Sequence, residues 1–506
     1  MKKRWIISII AVISSLLFLV WLKANNKKEV FQDFIGELNK TREEFINNSE
    51  PVDLSKYAVR YEDEEAALSD EELELLSTIT ESSNGYILYE EAKEDIDYAF
   101  KLLKYNYGAY EYFGGDEVFN KSKEEVLNSL SKEEKISRDT VSLALFNGLE
   151  TIITDGHFNI DGFNINMKKN LTNSFSKEHY FSKDGDRYYT LINNEKYYLE
   201  EVDGSKDIEI FMKQSIDLEG NLTYVIGVTV GVAKSYSSIE IRLVNKENKV
   251  INKNISMSKN LLEYDNGKMA YEEYERNGIK ILDINSMSPT TPQDESLNLF
   301  MESGEKYADE PLLIIDLRGN GGGNQAYSAK WFTDYLDKEF FQPTQSYILR
   351  DTKFNLINII KRFEEIENIQ PAEKSVLNQA KNELENGEYG TWIMGNPKSE
   401  FIENDNLIFV LIDKGVASSG EGFIDYLRYK ENVVLVGGNT AGVSLVIDSM
   451  PCQLPNSKVI MNFGKGVVIG AEGDNLDGKG FEPDIWVNSS EALDLTLSLI
   501  ENYKLK

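Results

Sequence analysis

The stretch Pro311-Leu-Leu-Ile-Ile-Asp-Leu-Arg-Gly-Asn-Gly-Gly-Gly-Asn324 constrains this chain more than any other. Its apolar run from Leu312 fits a strand covered on both faces, and the run stops in an Asp, an Arg and glycines at 319, 321, 322 and 323. Glycine opens backbone angles closed to other residues, so such a loop can aim N–H groups at a phosphate or a developing oxyanion. Nucleotide binding is disfavoured. The frame starting at Gly319 ends on Asn324 where G-x-G-x-x-G requires glycine, and no G-x-x-x-x-G-K-[ST] sequence occurs.

At 506 residues the chain has room for several domains. A formal net charge of -31 argues against a nucleic-acid partner, because an acidic surface repels phosphate. Lys2, Lys3 and Arg4 precede the uncharged stretch 5–22, which as a helix rises about 27 Å, enough to cross most of a bilayer core. We therefore expect residues 1–25 to be an uncleaved, single-pass membrane anchor, with a cleaved signal peptide as the alternative, and the remainder extracytoplasmic. Cys452 is the only cysteine, so no intrachain disulfide forms, and with only His157 and His179 beside it a Cys/His zinc site is excluded. Neither a metal nor an organic cofactor is expected.

Residues 26–85 are strongly charged and are expected to form a helical or loosely ordered stalk, in which Ser69 and Glu72 fit a capping box. From 86 to 159 helical spacing takes over: Ala92, Ile96, Ala99 and Leu103 share one face, and a second helix begins after Ser137. Residues 160–270 are rich in Tyr, Val, Ile and Thr with Asp-Gly and Glu-Gly turns, which predicts a β-rich module. Across 271–506, apolar runs such as 279–284, 312–315, 407–412 and 433–436 alternate with helical patterns, the signature of an α/β domain. A charged, largely helical insertion at 352–405 interrupts it and could cover a site.

A second candidate segment runs from Asn406 to Phe423: a strand ending near Ile412, a turn of small residues, and an amphipathic helix from about Ser419. A serine in that turn would present its hydroxyl at a helix N-terminus, where N–H groups favour developing negative charge. Ser418 is the candidate nucleophile and Ser419 N–H an oxyanion donor. Ser418-x-x-Glu421 equally fits a capping box, which needs no chemistry.

Three segments together, Asp316-Leu-Arg-Gly-Asn-Gly-Gly-Gly323, Ala417-Ser-Ser-Gly-Glu421 and Gly480-Phe-Glu-Pro-Asp484, resemble the C-terminal-processing, or tail-specific, serine peptidases and their tricorn-like relatives. Thr154-Asp-Gly-His157 resembles the upstream region of members that use a histidine. The resemblance implies a ClpP/crotonase-like ββα-superhelix core, a protein or peptide substrate, and Ser418 as nucleophile. Where many members carry a lysine base, Gly437-Gly-Asn-Thr-Ala-Gly-Val443 has valine, which disfavours a Ser–Lys dyad. The histidine branch implies His157 as base, with Asp477 as the orienting acid and Glu472 and Glu482 as substitutes. Gly321, Gly322 and Ser419 would supply the oxyanion N–H groups. Arg318 reads as a buried ion-pair partner of Asp316 or another carboxylate. The competing reading is a catalytically weak, peptide-binding or scaffold member of the same family.

Overall fold

A computed structural model describes residues 27–506 apart from 51, 63–66, 81–84, 131–134, 166–169, 233–235, 261–268, 338–344, 367–368, 370, 398–399 and 471–474. The expected anchor at 1–25 lies outside the described residues, among which no helix is long and apolar enough to cross a membrane.

The glycine loop leaves the third strand of a six-stranded sheet whose spatial order is its chain order: β1 (Tyr271–Arg276), β2 (Ile279–Ile284), β3 (Leu312–Asp316), β4 (Leu407–Ile412), β5 (Val433–Gly437) and β6 (Ile485–Trp486). β1 and β2 form a hairpin whose Asn277 and Gly278 both have positive φ, the geometry an Asn-Gly turn favours. Every later pairing is parallel. The apolar runs are continuous because both faces are covered. Leu313, Ile315, Ile408 and Val410 meet Phe300, Trp331 and Phe423 of the helices Ser296–Lys306, Gln325–Tyr335 and Ser419–Arg428. Leu312, Ile314, Phe409 and Leu411 meet Ile500 and Tyr503 of Ala492–Tyr503 on the other face. This is an α/β fold, and pairing Asp316 with Leu411 brings the loops after β3 and β4 to one end of the sheet.

The charged segment from 27 begins as a helix that packs against the sheet. Residues 27–48 are helical, and Phe31 and Ile35 are buried in that second face of the sheet. Phe31, Phe34, Ile35 and Leu38 repeat at helical spacing, so a narrow apolar stripe docks while the charges remain in water. Arg42 of the same helix bonds Val433 O and pairs with Asp484 at 2.5 Å, which ties the helix to β5 and to the closing Phe-Glu-Pro-Asp turn. Farther on, the Ser69–Glu72 capping box is formed.

Helices Tyr89–Asn106, Gly115–Ser129 and Arg138–Leu149 build a separate core with Met461, Phe463 and Val467. Ser137 caps the third of them through Thr140 N–H. Strands dominate 171–259, arranged in two antiparallel sheets; Ser238–Asn245 alternates exposed and buried residues as a half-covered strand does. Helices Lys353–Glu364 and Pro371–Asn386 occupy the insertion, and its strand Trp392–Gly395 pairs with Ser346–Arg350, which in turn pairs with Gly466–Ile469.

Candidate active site

Parallel strands deliver the two loops, and polar side chains lock them together. Asp413, just past β4, accepts hydrogen bonds from Gly415 N–H of its own turn and Gly319 N–H of the glycine loop, both at 2.9 Å. Asn320 is buried: its Nδ2 donates to Ile284 O, its Oδ1 accepts from Gly322 N–H, and its carbonyl accepts from Ala417 N–H. Arg318 makes a two-pronged pair with Asp316 and donates to Ser489 O. Burial works to lower its pKa, but the Asp316 pairing wins and holds it above the ordinary range.

Ser418 occupies the bend between β4 and the 419–428 helix with φ 53° and ψ -122°. For a residue with a Cβ this is a strained position, typically costing about 1–3 kcal/mol, and such strain gathers at functional turns. The capping box that Ser418 and Glu421 offered is not formed. The serine side chain makes no capping bond, and its Oγ lies 2.9 Å from His157 Nε2. Glu421 is fully buried and accepts from Thr440 Oγ1, Gly442 N–H and Val443 N–H, while Val443 O accepts from Ser418 N–H at 3.1 Å. Glu421 therefore braces the turn through the 440–443 segment.

His157 arrives on the tight turn that follows the 138–149 helix. Asp155 Oδ1 accepts His157 N–H at 2.7 Å, and Asp155 Oδ2 accepts the Tyr107 hydroxyl at 3.0 Å. Gly156 N–H donates to Asp477 Oδ2 at 2.6 Å; Asp477 Oδ1 accepts from Ser444 and Leu445 N–H. Asp477 thus lies beside the histidine turn, but its hydrogen bonds go to three backbone N–H groups and it makes no hydrogen bond or ion pair with the imidazole. His157 Nδ1 is buried with no hydrogen-bond partner, and Asp155 Oδ1 is 3.9 Å away. Asp155 is buried and Asp477 half-buried. Burial, followed by the charge of Asp155, pushes the Asp477 pKa up to about 8; burial also raises Asp155, against His157 and the hydrogen bonds it accepts.

Of the expected oxyanion donors, Ser419 N–H makes no hydrogen bond to another described residue, whereas Gly322 N–H is taken by Asn320. Gly322 lies against the Ser418 turn: a Cβ there would stand 2.8 Å from Ser418 Cβ. Gly321 is exposed, and Gly323 lines the cleft beside Ser418 and Ser419. Glu482 is exposed and bonded by Thr229, and Glu472 lies outside the described residues.

No curated protein matches this chain in sequence. Among solved structures, mature CPAF complexed with lactacystin is similar at 15% identity and a TM-score of 0.38, over 82% of this chain and 98% of that one. The photosystem II D1 C-terminal processing protease is similar at 14% identity and 0.34, over 79% and 93%, and the tricorn protease at 15% and 0.32, over 82% and 37%. Residues 278–487 match peptidase family S41. They form an S41 peptidase domain. The serine peptidase family read from the three motifs is the family matched over this segment.

The S41 domain holds the glycine loop, Ser418 and Asp477, while His157 comes from outside the matched region. A cleft of about 490 Å³ opens over Ser418 and His157, walled by Leu356 and Phe363 of one insertion helix and Val376 and Ala380 of the other. Two lysines border the S41 site without reaching the serine. Lys414 donates to Thr440 O and Ala441 O, and burial lowers its pKa to about 8. Lys465 lines the cleft between Asp351 at 2.7 Å and Asp448 at 3.1 Å; burial favours its neutral form, but the two carboxylates prevail and raise its pKa. His179 lies in the strand-rich segment, 3.1 Å from Lys253 Nζ. Motif reading gave Asp155, Asn320 and Tyr107 no role. The first was visible two residues before His157, whereas Tyr107 reaches the turn only through the tertiary fold.

Proposed function

We propose that this protein is a serine endopeptidase that cleaves proteins or peptides through Ser418, with His157 as general base and a carboxylate behind it. The observation carrying the proposal is the 2.9 Å contact between Ser418 Oγ and His157 Nε2, made across 261 positions of sequence and at a strained turn. With the Nδ1–H tautomer, the Nε2 lone pair accepts the serine proton as Oγ bonds to the scissile carbonyl carbon. The carbonyl π electrons move to oxygen, where Ser419 N–H and an N–H of the 321–323 loop stabilise the charge; one such donor is commonly worth about 3 kcal/mol. Collapse re-forms the carbonyl and breaks the C–N bond, and Nε2–H protonates the leaving amine. Water, deprotonated by the same nitrogen, then hydrolyses the acyl-enzyme and returns the proton to Ser418. The proposal places this chemistry outside the cytoplasmic membrane, a reading supported by the basic-then-apolar N-terminal sequence.

The test is turnover of a fluorogenic unfolded protein by the full chain and its Ser418→Ala, His157→Ala and Lys465→Ala variants. Activity lost in the first two and retained in the third is expected; loss only with Lys465→Ala would overturn the histidine mechanism. The partnerless Nδ1 favours a second reading, a weakly catalytic peptide-binding protein. Tight peptide binding unchanged by Ser418→Ala, with no turnover, would select it.

A further inference from the structure

Two carboxyls, one buried and one half-buried, flank the turn that carries His157, and their surroundings differ. Asp477 spends both oxygens on main-chain donors from two separate segments, Gly156 on one side and Ser444 and Leu445 on the other. That set of contacts fixes backbone to backbone. Asp155 has the nearer relation to the imidazole: its Oδ1 already accepts His157 N–H, and the same oxygen lies 3.9 Å from Nδ1. Its other oxygen is held by Tyr107, whose ring sits edge-on against Phe158 and Phe463 and stacks on Phe113, so the carboxylate is positioned from a different part of the fold. A hydrogen bond needs about 2.8 Å, and a swing of the imidazole by roughly 1 Å closes the gap, a tightening expected when substrate fills a site.

We propose that Asp155, and not Asp477, is the positioning residue that orients His157 and balances its positive charge, with Tyr107 holding Asp155 and Asp477 clamping the 155–157 turn to the 444–445 segment. This assignment rests on the hydrolytic reading above. In it the Ser418 proton moves to Nε2, Nδ1 keeps its own proton and directs it at Asp155 Oδ1, and no proton passes to the carboxylate. The groups facing the imidazole and its turn are Asp155 on its own segment, Tyr107 after the 89–106 helix, Asp477 on the closing loop and Ser418 on the nucleophile turn. Burial raises both acids, Asp477 to about 8 with the charge of Asp155 adding to it, while at Asp155 the charge of His157 and the accepted hydrogen bonds work against the rise.

The chain has only two histidines, so the His157 ring can be followed directly. Histidine-labelled full chain, with His179→Gln for assignment, is compared by NMR with Asp155→Asn and Asp477→Asn, the ring-nitrogen shifts of the neutral imidazole reporting which nitrogen carries the proton, and kcat and KM are measured on the same samples. A carboxylate can only accept and so selects the Nδ1–H tautomer, whereas an amide can turn its NH2 toward Nδ1. Asp155→Asn is expected to move the proton to Nε2 and to lower kcat by at least about 100-fold, with KM little changed. Asp477→Asn is expected to keep the Nδ1–H tautomer while lowering thermal stability. An unchanged tautomer in Asp155→Asn, or its loss in Asp477→Asn, overturns the assignment. If Asp155→Asn fails to fold, Tyr107→Phe decides: loosening Asp155 is expected to mix the two tautomers, and an unmixed Nδ1–H form overturns the proposal. Because the NMR reading needs no turnover, an inactive parent chain would defeat the hydrolytic reading alone and leave this assignment to its own result.

Discussion

Replacing Gly322 with alanine is a direct probe of how closely the glycine loop supports the nucleophile. The new Cβ would stand 2.8 Å from Ser418 Cβ, 2.8 Å from Ala417 O and 3.1 Å from Ser419 N. Ordinary contact needs about 3.4 Å or more, so one loop must retreat by roughly 0.6 Å at a site packed too densely to absorb it freely. Gly322 also has φ +98°, and an L-residue on the left-handed side typically costs about 1–2 kcal/mol. Since a 1 Å misplacement of a reacting group can cost about 100-fold, a displacement of this size corresponds to a kcat loss of roughly 10- to 100-fold. Gly319→Ala separates the two effects, because that residue has φ +77° with nothing within 4 Å of its Cβ. It should lose stability with kcat near that of the parent. The assay is steady-state turnover of a fluorogenic unfolded protein together with thermal melting. A Gly322→Ala enzyme with parental kcat, or a Gly319→Ala enzyme equally impaired, would refute the packing argument.

Glu421→Ala strips the partners from Gly442 N–H, Val443 N–H and the Thr440 hydroxyl, at about 1–3 kcal/mol for each buried donor left unmade; calorimetry should show a clear fall in Tm, with Glu421→Gln milder. Asp477 should make stability depend on pH. Its folded pKa is raised to about 8, so the folded chain holds a proton that the unfolded chain releases from about pH 4 upward, and the associated stability is lost as pH rises toward 8. Urea titrations from pH 5 to 8 should show that slope flattened in Asp477→Asn, whereas parallel pH dependences would contradict it. Burial pushes the Cys452 thiol up to about 12, so a thiol reagent should label it only on unfolding; labelling at the native rate of an exposed thiol would be contrary.

Strands of the main sheet were the most legible part of this chain. Leu407–Ile412 coincides with its apolar run because a strand buried on both faces has no polar position to blur its ends. The docking of the 27–48 helix is hidden by its own charges: its stripe of Phe31, Phe34, Ile35 and Leu38 is narrow, and composition speaks for the wide solvated face. Ser418 could be proposed from a local turn, but no spacing rule joins it to His157, and only a family resemblance put them in one site. The two acids show where motif reading reaches its limit. Asp477 was chosen by its place before the closing turn, while the 3.9 Å approach of Asp155 depends on how the 155–157 backbone folds and on Tyr107 arriving from another helix. Likewise Ser418-x-x-Glu421 satisfies the capping pattern, but burial of Glu421 among the donors of 440–443 turns both side chains to other work.

The most direct measurement is peptide mapping by mass spectrometry after the full chain has reacted with a fluorophosphonate, run in parallel on His157→Ala. A nucleophilic Ser418 activated by His157 should appear as a single phosphonyl adduct on that serine, formed far more slowly in the variant. Adduct on Ser419 or elsewhere, or labelling of Ser418 at the same rate without His157, would contradict the pairing on which the account depends.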